Sequence, residues 1–191
     1  MNRIDIVLLL LIINILFPFF SQGQEKRFSF STEASYSSGI GSIKYTDDVK
    51  YEYQGTSYRV LVGGYFHFTK KIISGIKLGL DGYQDPTYNT FPLLLNSKFF
   101  LTEESKTIFL YNEVGTSIKF NDQFEKGSII GVGVGMKFQK RKVAILPSFG
   151  FKGQKLTDIS TTIYNSNTQA SEPFSGDMFL TSLVFSLNLM F

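Results

Sequence analysis

The chain closes with the stretch TSLVFSLNLMF, residues 181–191, and this stretch decides the fold. Every second residue in it is large and apolar, and the residues between are mostly small or polar. The apolar positions are Leu183, Phe185, Leu187, Leu189 and Phe191. Because successive side chains of a β-strand point to opposite faces, this alternation predicts a strand with one apolar and one polar face. Such a strand needs apolar surroundings on one side along its whole length.

The composition favours strands and excludes several classes of protein. The 191 residues suit one domain, and they include 20 phenylalanines, 10 tyrosines and 17 glycines. There is no cysteine, so the chain has no disulfide framework, no thiolate chemistry and no acylated lipoprotein cysteine. A formal net charge of +3 is too small to indicate a nucleic-acid partner.

The first 23 residues have the layout of a secretory signal peptide. Arg3 precedes the apolar segment Ile6–Phe17, and the small residues Ser21 and Gly23 follow. We expect cleavage after Gly23, which leaves residues 24–191 as one β-barrel domain. The alternative is a transmembrane anchor, for which the apolar segment is short.

Alternation with a period of two recurs along the rest of the chain and predicts eight strands. Their predicted ranges are 28–37, 57–68, 72–80, 91–101, 107–120, 129–138, 143–151 and 178–191. Most of them have the length of a tilted membrane-crossing strand. Pro92 is expected near the start of its strand, where proline is tolerated. Pro147 is expected within its strand, where it predicts a bulge or irregular pairing.

The predicted connections alternate between short and long. Short turns follow the second, fourth and sixth strands, and longer loops are expected at 38–56, 81–90, 121–128 and 152–177. This alternation predicts an antiparallel up-and-down meander with one plain end and one elaborated end. Outer-membrane barrels have short periplasmic turns and longer external loops.

Alternation alone leaves open which face points inward, because a secreted lipocalin-like barrel would bury the apolar face around a ligand. Three arguments favour the opposite arrangement. The apolar side chains are too bulky for an eight-stranded lumen. The other face of the sixth strand carries Gly131, Gly133 and Gly135, which suit a crowded interior. A lipid-exposed sheet must also close on itself, since its edges would find no water. We therefore predict an all-β, eight-stranded antiparallel transmembrane β-barrel with its apolar face toward lipid.

The signal peptide, the eight alternating strands and the aromatic last strand together resemble the small eight-stranded outer-membrane β-barrels. This is the group of the OmpA transmembrane domain, the OmpX-like proteins and the outer membrane protein beta-barrel domain. The resemblance implies a location in the bacterial outer membrane, in contact with the lipid bilayer and lipopolysaccharide. It also implies recognition by the barrel-assembly machinery through a carboxy-terminal signal formed by Phe185, Leu187, Leu189 and Phe191.

Charged residues recur on the face predicted to line the lumen. Loop and turn positions suggest that Glu33 lies opposite Arg59, that Arg59 lies near Asp81, and that Glu113 lies near Lys137 and roughly near Lys98. Cross-strand pairs of opposite charge would fill the lumen and fix the register. The candidate ion-pair residues are Glu33, Arg59, Asp81, Lys98, Glu113 and Lys137. The alternative is a gated polar path for small solutes.

The sequence predicts a structural or surface-interaction role, with no catalytic residue, metal site or cofactor. His67 is the only histidine, and no motif joins it to a nucleophile and an acid. The tyrosine-bearing loops 38–56 and 152–177 are expected to contact a protein or glycan partner. We expect a monomer, or an accessory subunit of an envelope complex. The alternatives are a narrow solute channel, a lipid-modifying outer-membrane enzyme and a soluble lipocalin-like binder.

Overall fold

The computed structural model of the chain describes residues 27–40, 42–44, 50–52, 55–84, 87–119, 126–165 and 170–191. Every regular element in these ranges is a β-strand. The strands are β1 (Phe28–Gly39), β2 (Ser42–Lys44), β3 (Lys50–Glu52), β4 (Thr56–His67), β5 (Ile72–Gln84), β6 (Thr87–Phe100), β7 (Lys106–Lys119), β8 (Lys126–Lys140), β9 (Val143–Asn165) and β10 (Ala170–Met190). The predicted signal peptide lies outside the described residues.

Eight of these strands form a closed antiparallel barrel in the order β1-β10-β9-β8-β7-β6-β5-β4. Each pairs with its neighbour in sequence, and β10 returns to pair with β1. The closure extends to the end of the chain, where the N–H of Phe191 donates to the carbonyl of Phe30 at 2.8 Å. Strands β2 and β3 form a separate short hairpin. The predicted up-and-down, eight-stranded barrel is therefore confirmed.

The outer surface of the barrel is apolar. Val132, Val134, Phe185 and Leu187 are between 44% and 54% exposed, so they point away from the axis rather than toward it. The residues that alternate with these outward positions along the strands face the lumen, and among them Ser182 and Asn188 are buried. An apolar exterior around a polar interior is the arrangement that a lipid environment stabilises. Among the described residues, no helix is long and apolar enough to cross a membrane.

The strands extend further than the alternation predicted, and the loop predicted at 152–177 is wrong. β9 continues to Asn165 and β10 begins at Ala170, so most of this segment is a two-stranded antiparallel ribbon. The loop predicted at 81–90 is also mostly strand, and the loop at 38–56 contains the β2–β3 hairpin. Threonine, isoleucine and tyrosine dominate residues 157–164, and their β propensity outweighs the polarity that suggested a loop.

The two prolines interrupt pairing on one side of their strands without shifting the register. Pro147 pairs with Leu187 of β10, whereas the β8–β9 ladder skips two pairs between Gly135–Ser148 and Phe138–Ile145. Pro92, which lies inside β6, interrupts the β5–β6 ladder in the same way. Proline lacks the N–H that would donate to one neighbouring strand, so only that ladder is affected. The irregular pairing predicted at Pro147 is present, but it is not a bulge.

The glycines of β8 make room for large inward side chains of β7. Three directly opposed pairs combine a large residue of β7 with a glycine of β8: Glu113–Gly131, Tyr111–Gly133 and Phe109–Gly135. A Cβ atom on Gly131 would lie 2.7 Å from Cγ of Glu113, which is too close for both atoms to fit. The glycine row therefore allows the large β7 side chains to cross the lumen.

Candidate functional site

The centre of the lumen holds a ring of four alternating charges. Arg59 of β4 contacts Glu113 of β7 at 2.9 Å and Glu33 of β1 at 3.4 Å. Lys77 of β5 contacts the same two carboxylates, Glu33 at 2.9 Å and Glu113 at 3.3 Å. Asn188 of β10 donates to Glu33 at 3.1 Å. Five strands are thus joined across the lumen by buried, mutually neutralising groups.

A second polar cluster lies closer to the end of the barrel that carries the ribbon. Lys152 of β9 contacts Asp81 of β5 at 3.1 Å and donates to the hydroxyl of Tyr83 at 2.8 Å. Tyr83 in turn donates to the side chain of Gln154, whose amide donates to Ser117 at 2.8 Å. Apolar residues close this end of the lumen: Tyr83, Tyr88, Leu156, Ile159, Met178 and Leu180.

The half of the lumen near the short turns holds two lysines beside aromatic rings. Lys98 donates to the hydroxyl of Tyr65 and, at 2.8 Å, to the side-chain oxygen of Asn96. The amine of Lys137 lies 4.9 Å from the centroid of the Phe100 ring, within the range of cation–π attraction. An apolar cluster fills the same region: Tyr65, Ile73, Phe100, Phe109, Ala144, Leu146 and Met190.

The structure places all six candidate ion-pair residues in the buried lumen but joins them differently from the sequence prediction. Glu33 lies opposite Leu61, and Arg59 lies opposite Ser35, a difference of two residues from the expected register. The ion pair between Glu33 and Arg59 forms on the diagonal because both side chains are long. Arg59 lies directly opposite Asp81, as expected, but the carboxylate of Asp81 contacts Lys152.

Glu113 and Lys137 are not brought together. Lys137 lies opposite Thr107, six residues along β7 from Glu113, because the β7–β8 connection is centred earlier in the sequence than its predicted limits implied. Lys98 lies opposite Tyr111, two residues from Glu113, and its amine turns instead to Tyr65 and Asn96.

These clusters also contain lumen residues that were absent from the candidate set, among them Lys77, Lys152, Gln154 and Asn188. Lys77 and Asn188 occupy inward positions of strands that the alternation identified, so the alternation places both in the lumen, although it does not indicate their partners. Lys152 and Gln154 fell in a predicted loop, and extending the alternation of β9 past Phe151 would have placed both side chains inside.

The ribbon bends where it leaves the barrel. Thr157 and Asp158 of β9 oppose the single residue Asp177 of β10, which forms a β-bulge with Asp158 at a φ of 51°. Asp177 accepts from the backbone N–H of Asp158 at 3.3 Å and contacts Lys155 at 3.1 Å. Beyond the bulge, Ile159 is fully buried in the apolar cluster at the barrel end. The ribbon therefore leans over the mouth of the lumen.

His67 lies at the other end of the barrel. Its Nε2 atom is 2.9 Å from the hydroxyl of Ser29. Ser74, a serine of the following strand, points outward and pairs with Ser97 at 2.8 Å. Nucleophilic catalysis needs a base that is held by a third group and donors for the developing oxyanion. Among the described residues, no group of three or more histidine, cysteine, aspartate or glutamate side chains could hold a metal ion.

Two solved structures are similar to most of this chain at low sequence identity. No protein-family model and no curated protein matches the chain. The crystal structure of Neisserial surface protein A is similar over 86% of this chain and 96% of that chain, with 10% identity and a TM-score of 0.49. A FadL homologue from Pseudomonas aeruginosa is similar over 75% of this chain and 38% of that chain, with 13% identity and a TM-score of 0.36. The closed eight-stranded barrel with an apolar exterior is the architecture of a small outer-membrane β-barrel, whereas its place in the OmpA and OmpX-like group stays a prediction.

Proposed function

We propose that the protein is an outer-membrane barrel of a diderm bacterium that conducts no solute and acts through structure and surface contact. The apolar outer surface of the barrel, the apolar belt, would hold the protein in the bilayer. The ribbon would lie on the extracellular side among lipopolysaccharide. The terminal residues Phe185, Leu187, Leu189 and Phe191 would serve as the signal for the barrel-assembly machinery. A role as an accessory subunit of an envelope complex belongs to the same proposal.

The filled lumen is the observation that carries this proposal. The charge ring of Glu33, Arg59, Lys77 and Glu113 crosses the barrel, and apolar clusters fill the lumen on both sides of it. The cavity beside the ring has a volume of about 10 Å³. That volume holds about one water molecule. An eight-stranded barrel filled in this way supports a structural role better than conduction.

The ribbon supports a role in surface contact. Beyond Thr157, which pairs with Lys126 at the start of β8, β9 pairs with β10 alone among the residues that the structure describes. One edge of the ribbon from Asp158 onward therefore presents backbone N–H and C=O groups. Such an edge can take an extended segment of another protein as an added strand.

Planar-bilayer recordings test the closed lumen. We expect the purified protein to give no stable unit currents, because no continuous aqueous path crosses the charge ring. Stable unit currents would instead support the narrow solute channel. Membrane fractionation tests the location: we expect extraction to need detergent, and recovery without detergent would support the soluble lipocalin-like alternative.

Photo-crosslinking on intact cells tests the ribbon. A crosslinking residue at Ser160, on the ribbon, is expected to form an adduct with one envelope component. The same residue at Phe149, on the lipid-facing surface, serves as the control and is expected to form no adduct with a protein or glycan, because its neighbours are lipids. Equal adducts at both positions, or none at Ser160, would contradict a contact role for the ribbon.

A further inference from the structure

An open cleft lies at the end of the barrel that carries the short turns. It is formed between the β6–β7 turn and the β8–β9 turn, whose backbones are joined by a 2.7 Å hydrogen bond from Gln139 to Ser105. Its lining combines basic and apolar side chains, including Lys106, Phe138, Lys140, Arg141, Lys142 and Val143. The cleft is therefore amphipathic, with four cations beside side chains of the apolar belt.

The four cations of this cleft lack acidic partners. Within the described ranges, no carboxylate oxygen lies within 4.0 Å of Lys106, Lys140, Arg141 or Lys142. The neighbouring basic turn differs, because Lys70 contacts Glu103 at 3.8 Å. Four exposed cations without carboxylates form a strongly positive surface that attracts an anion.

The cleft lies at the boundary of the apolar belt. Lys106 and Lys140 continue the outward faces of their strands, two residues beyond Ile108 and Phe138. The amine of Lys106 lies 5.7 Å from the centroid of the Phe138 ring. Val143 and Ile145 are 37% and 44% exposed on the adjoining strand. Charged and apolar side chains are therefore adjacent in the cleft, as the headgroup and the acyl chains are in a phospholipid.

Arg141 occupies a backbone conformation that disfavours its own side chain. It is the first residue of the two-residue turn between β8 and β9, and its φ is 56°. Glycine and asparagine adopt this conformation at lower cost. The two-residue turn requires a positive φ at this position, and an arginine occupies it in place of a residue that would adopt it at lower cost.

We propose that this cleft binds the phosphate headgroup of an anionic phospholipid of the periplasmic leaflet. Arg141 and the three lysines hold the phosphate, since guanidinium and ammonium groups both donate charge-assisted hydrogen bonds to it. Phe138, Val143 and Ile145 line the path of the first acyl carbons. The site rests on the proposed outer-membrane location, and it adds one lipid class to the general contact with the bilayer.

The test uses the mature chain inserted into vesicles of phosphatidylcholine with a minor share of phosphatidylglycerol. Spin-labelled forms of both lipids report the relative association of each lipid with the barrel. We expect the wild type to prefer phosphatidylglycerol. In the double variant Lys106→Gln, Lys140→Gln, the association of phosphatidylglycerol relative to phosphatidylcholine should fall by roughly fivefold for each charge removed. The double variant Lys70→Gln, Lys71→Gln removes the same net charge from the neighbouring turn and should keep the preference.

A third variant separates binding from folding. Arg141→Gly removes the charge and relieves the turn, so its unfolding midpoint in urea should stay the same or rise. Its preference for phosphatidylglycerol should nevertheless fall by roughly fivefold. Inorganic phosphate added to vesicles of phosphatidylcholine alone should leave the unfolding midpoint unchanged, because the site needs the acyl chain.

Three results would overturn the site. Equal losses in the two double variants would mean diffuse attraction without a discrete cleft, and a wild type without any preference would remove the proposal altogether. A stabilising effect of inorganic phosphate alone would assign the cleft to a free anion and also overturn it. Failure of the wild type to insert into any vesicle would instead contradict the outer-membrane function.

Discussion

At the scale of single residues, Asn112 is the notable exception on the outer surface. It lies on the outward face of β7 between Leu110 and Val114, which are 51% and 53% exposed. Its carboxamide is exposed and forms no hydrogen bond with another residue that the structure describes. A polar group in this position gains nothing from a hydrocarbon environment and loses its hydration.

We predict that Asn112→Leu stabilises the barrel in a lipid bilayer by about 2 kcal/mol, because the unpaired amide is replaced by an apolar side chain. Urea unfolding in vesicles measures the change. Asn89→Leu is the matched control. Asn89 lies near the start of β6, beyond the apolar belt, so its replacement should change the free energy of unfolding little. A loss of stability in Asn112→Leu, or a change in its association state, would mean that the amide has a partner.

Glu113 is the second residue with a sharp expectation, because it lies between two cations. Among the described carboxylates, its replacement by glutamine leaves Glu33 alone in direct contact with Arg59 and Lys77. Removing one partner from a buried ion pair is costly, so we expect Glu113→Gln to lower the free energy of unfolding by about 3 kcal/mol. Unfolding in urea measures it, and Glu104→Gln on the exposed β6–β7 turn provides the control. Equal stability of the two variants would show that the ring contributes nothing.

At the scale of elements, the prediction from sequence was strongest for strands with two unlike faces and weakest where a polar strand leaves the belt. The alternation located all eight strands of the barrel, because half of each strand faces apolar surroundings. Residues 157–165 and 170–177 have no apolar face of that kind, so the same reasoning produced a loop. The ribbon there is held by pairing between β9 and β10, which a single strand's pattern does not report.

The bulge of the ribbon should respond to acid. The hydrogen bond from Lys155 and then that from the backbone of Asp158 hold the pKa of Asp177 below its ordinary value of 3.8. A lowered pKa in the folded state means that this stabilisation is complete above the ordinary value and is lost as the pH falls below it. The bend should therefore loosen in that acidic range.

Spin labels at Ser160 and Thr87 measure the distance between the ribbon and the barrel end. We expect one narrow distance distribution at neutral pH that broadens below the ordinary pKa of Asp177. Asp177→Asn should give the broad distribution at every pH. A narrow distribution in this variant at neutral pH would show that the carboxylate does not hold the bend.

At the scale of the whole molecule, the first and last strands of the barrel pair with each other as any two neighbouring strands do. Phe30 and Phe191 exchange backbone hydrogen bonds of 2.8 and 3.3 Å, so the two ends of the described chain lie side by side. The charge ring takes its members from strands β1, β4, β5 and β7, and β10 adds Asn188. The order of the strands around the barrel, rather than their order in the chain, therefore determines the interior.

A circular permutant separates folding from assembly. We join Phe191 to Arg27 through a short glycine linker and open the chain between Lys70 and Lys71. The permutant should fold in vesicles with nearly the same unfolding midpoint, because every strand keeps its neighbours. In cells, with residues 1–26 placed before Lys71, it should fail to reach the outer membrane, since its final strand no longer carries the proposed signal of Phe185, Leu187, Leu189 and Phe191. The unpermuted protein with the linker appended after Phe191 is the control and should fail in the same way. Normal assembly of both would contradict the terminal signal.

The amino-acid pattern alone was enough to predict the number of barrel strands, their two faces, the closure and the direction of the apolar face. These properties follow from a period of two and from the volume of side chains, which are local or additive quantities. Only the tertiary structure decided the partners inside the lumen. A shift of two residues in the β1–β4 register and an earlier centre of the β7–β8 connection moved Glu33 and Lys137 relative to their expected partners. The register depends on the number of residues in each connection. A long charged side chain can then reach partners on several strands.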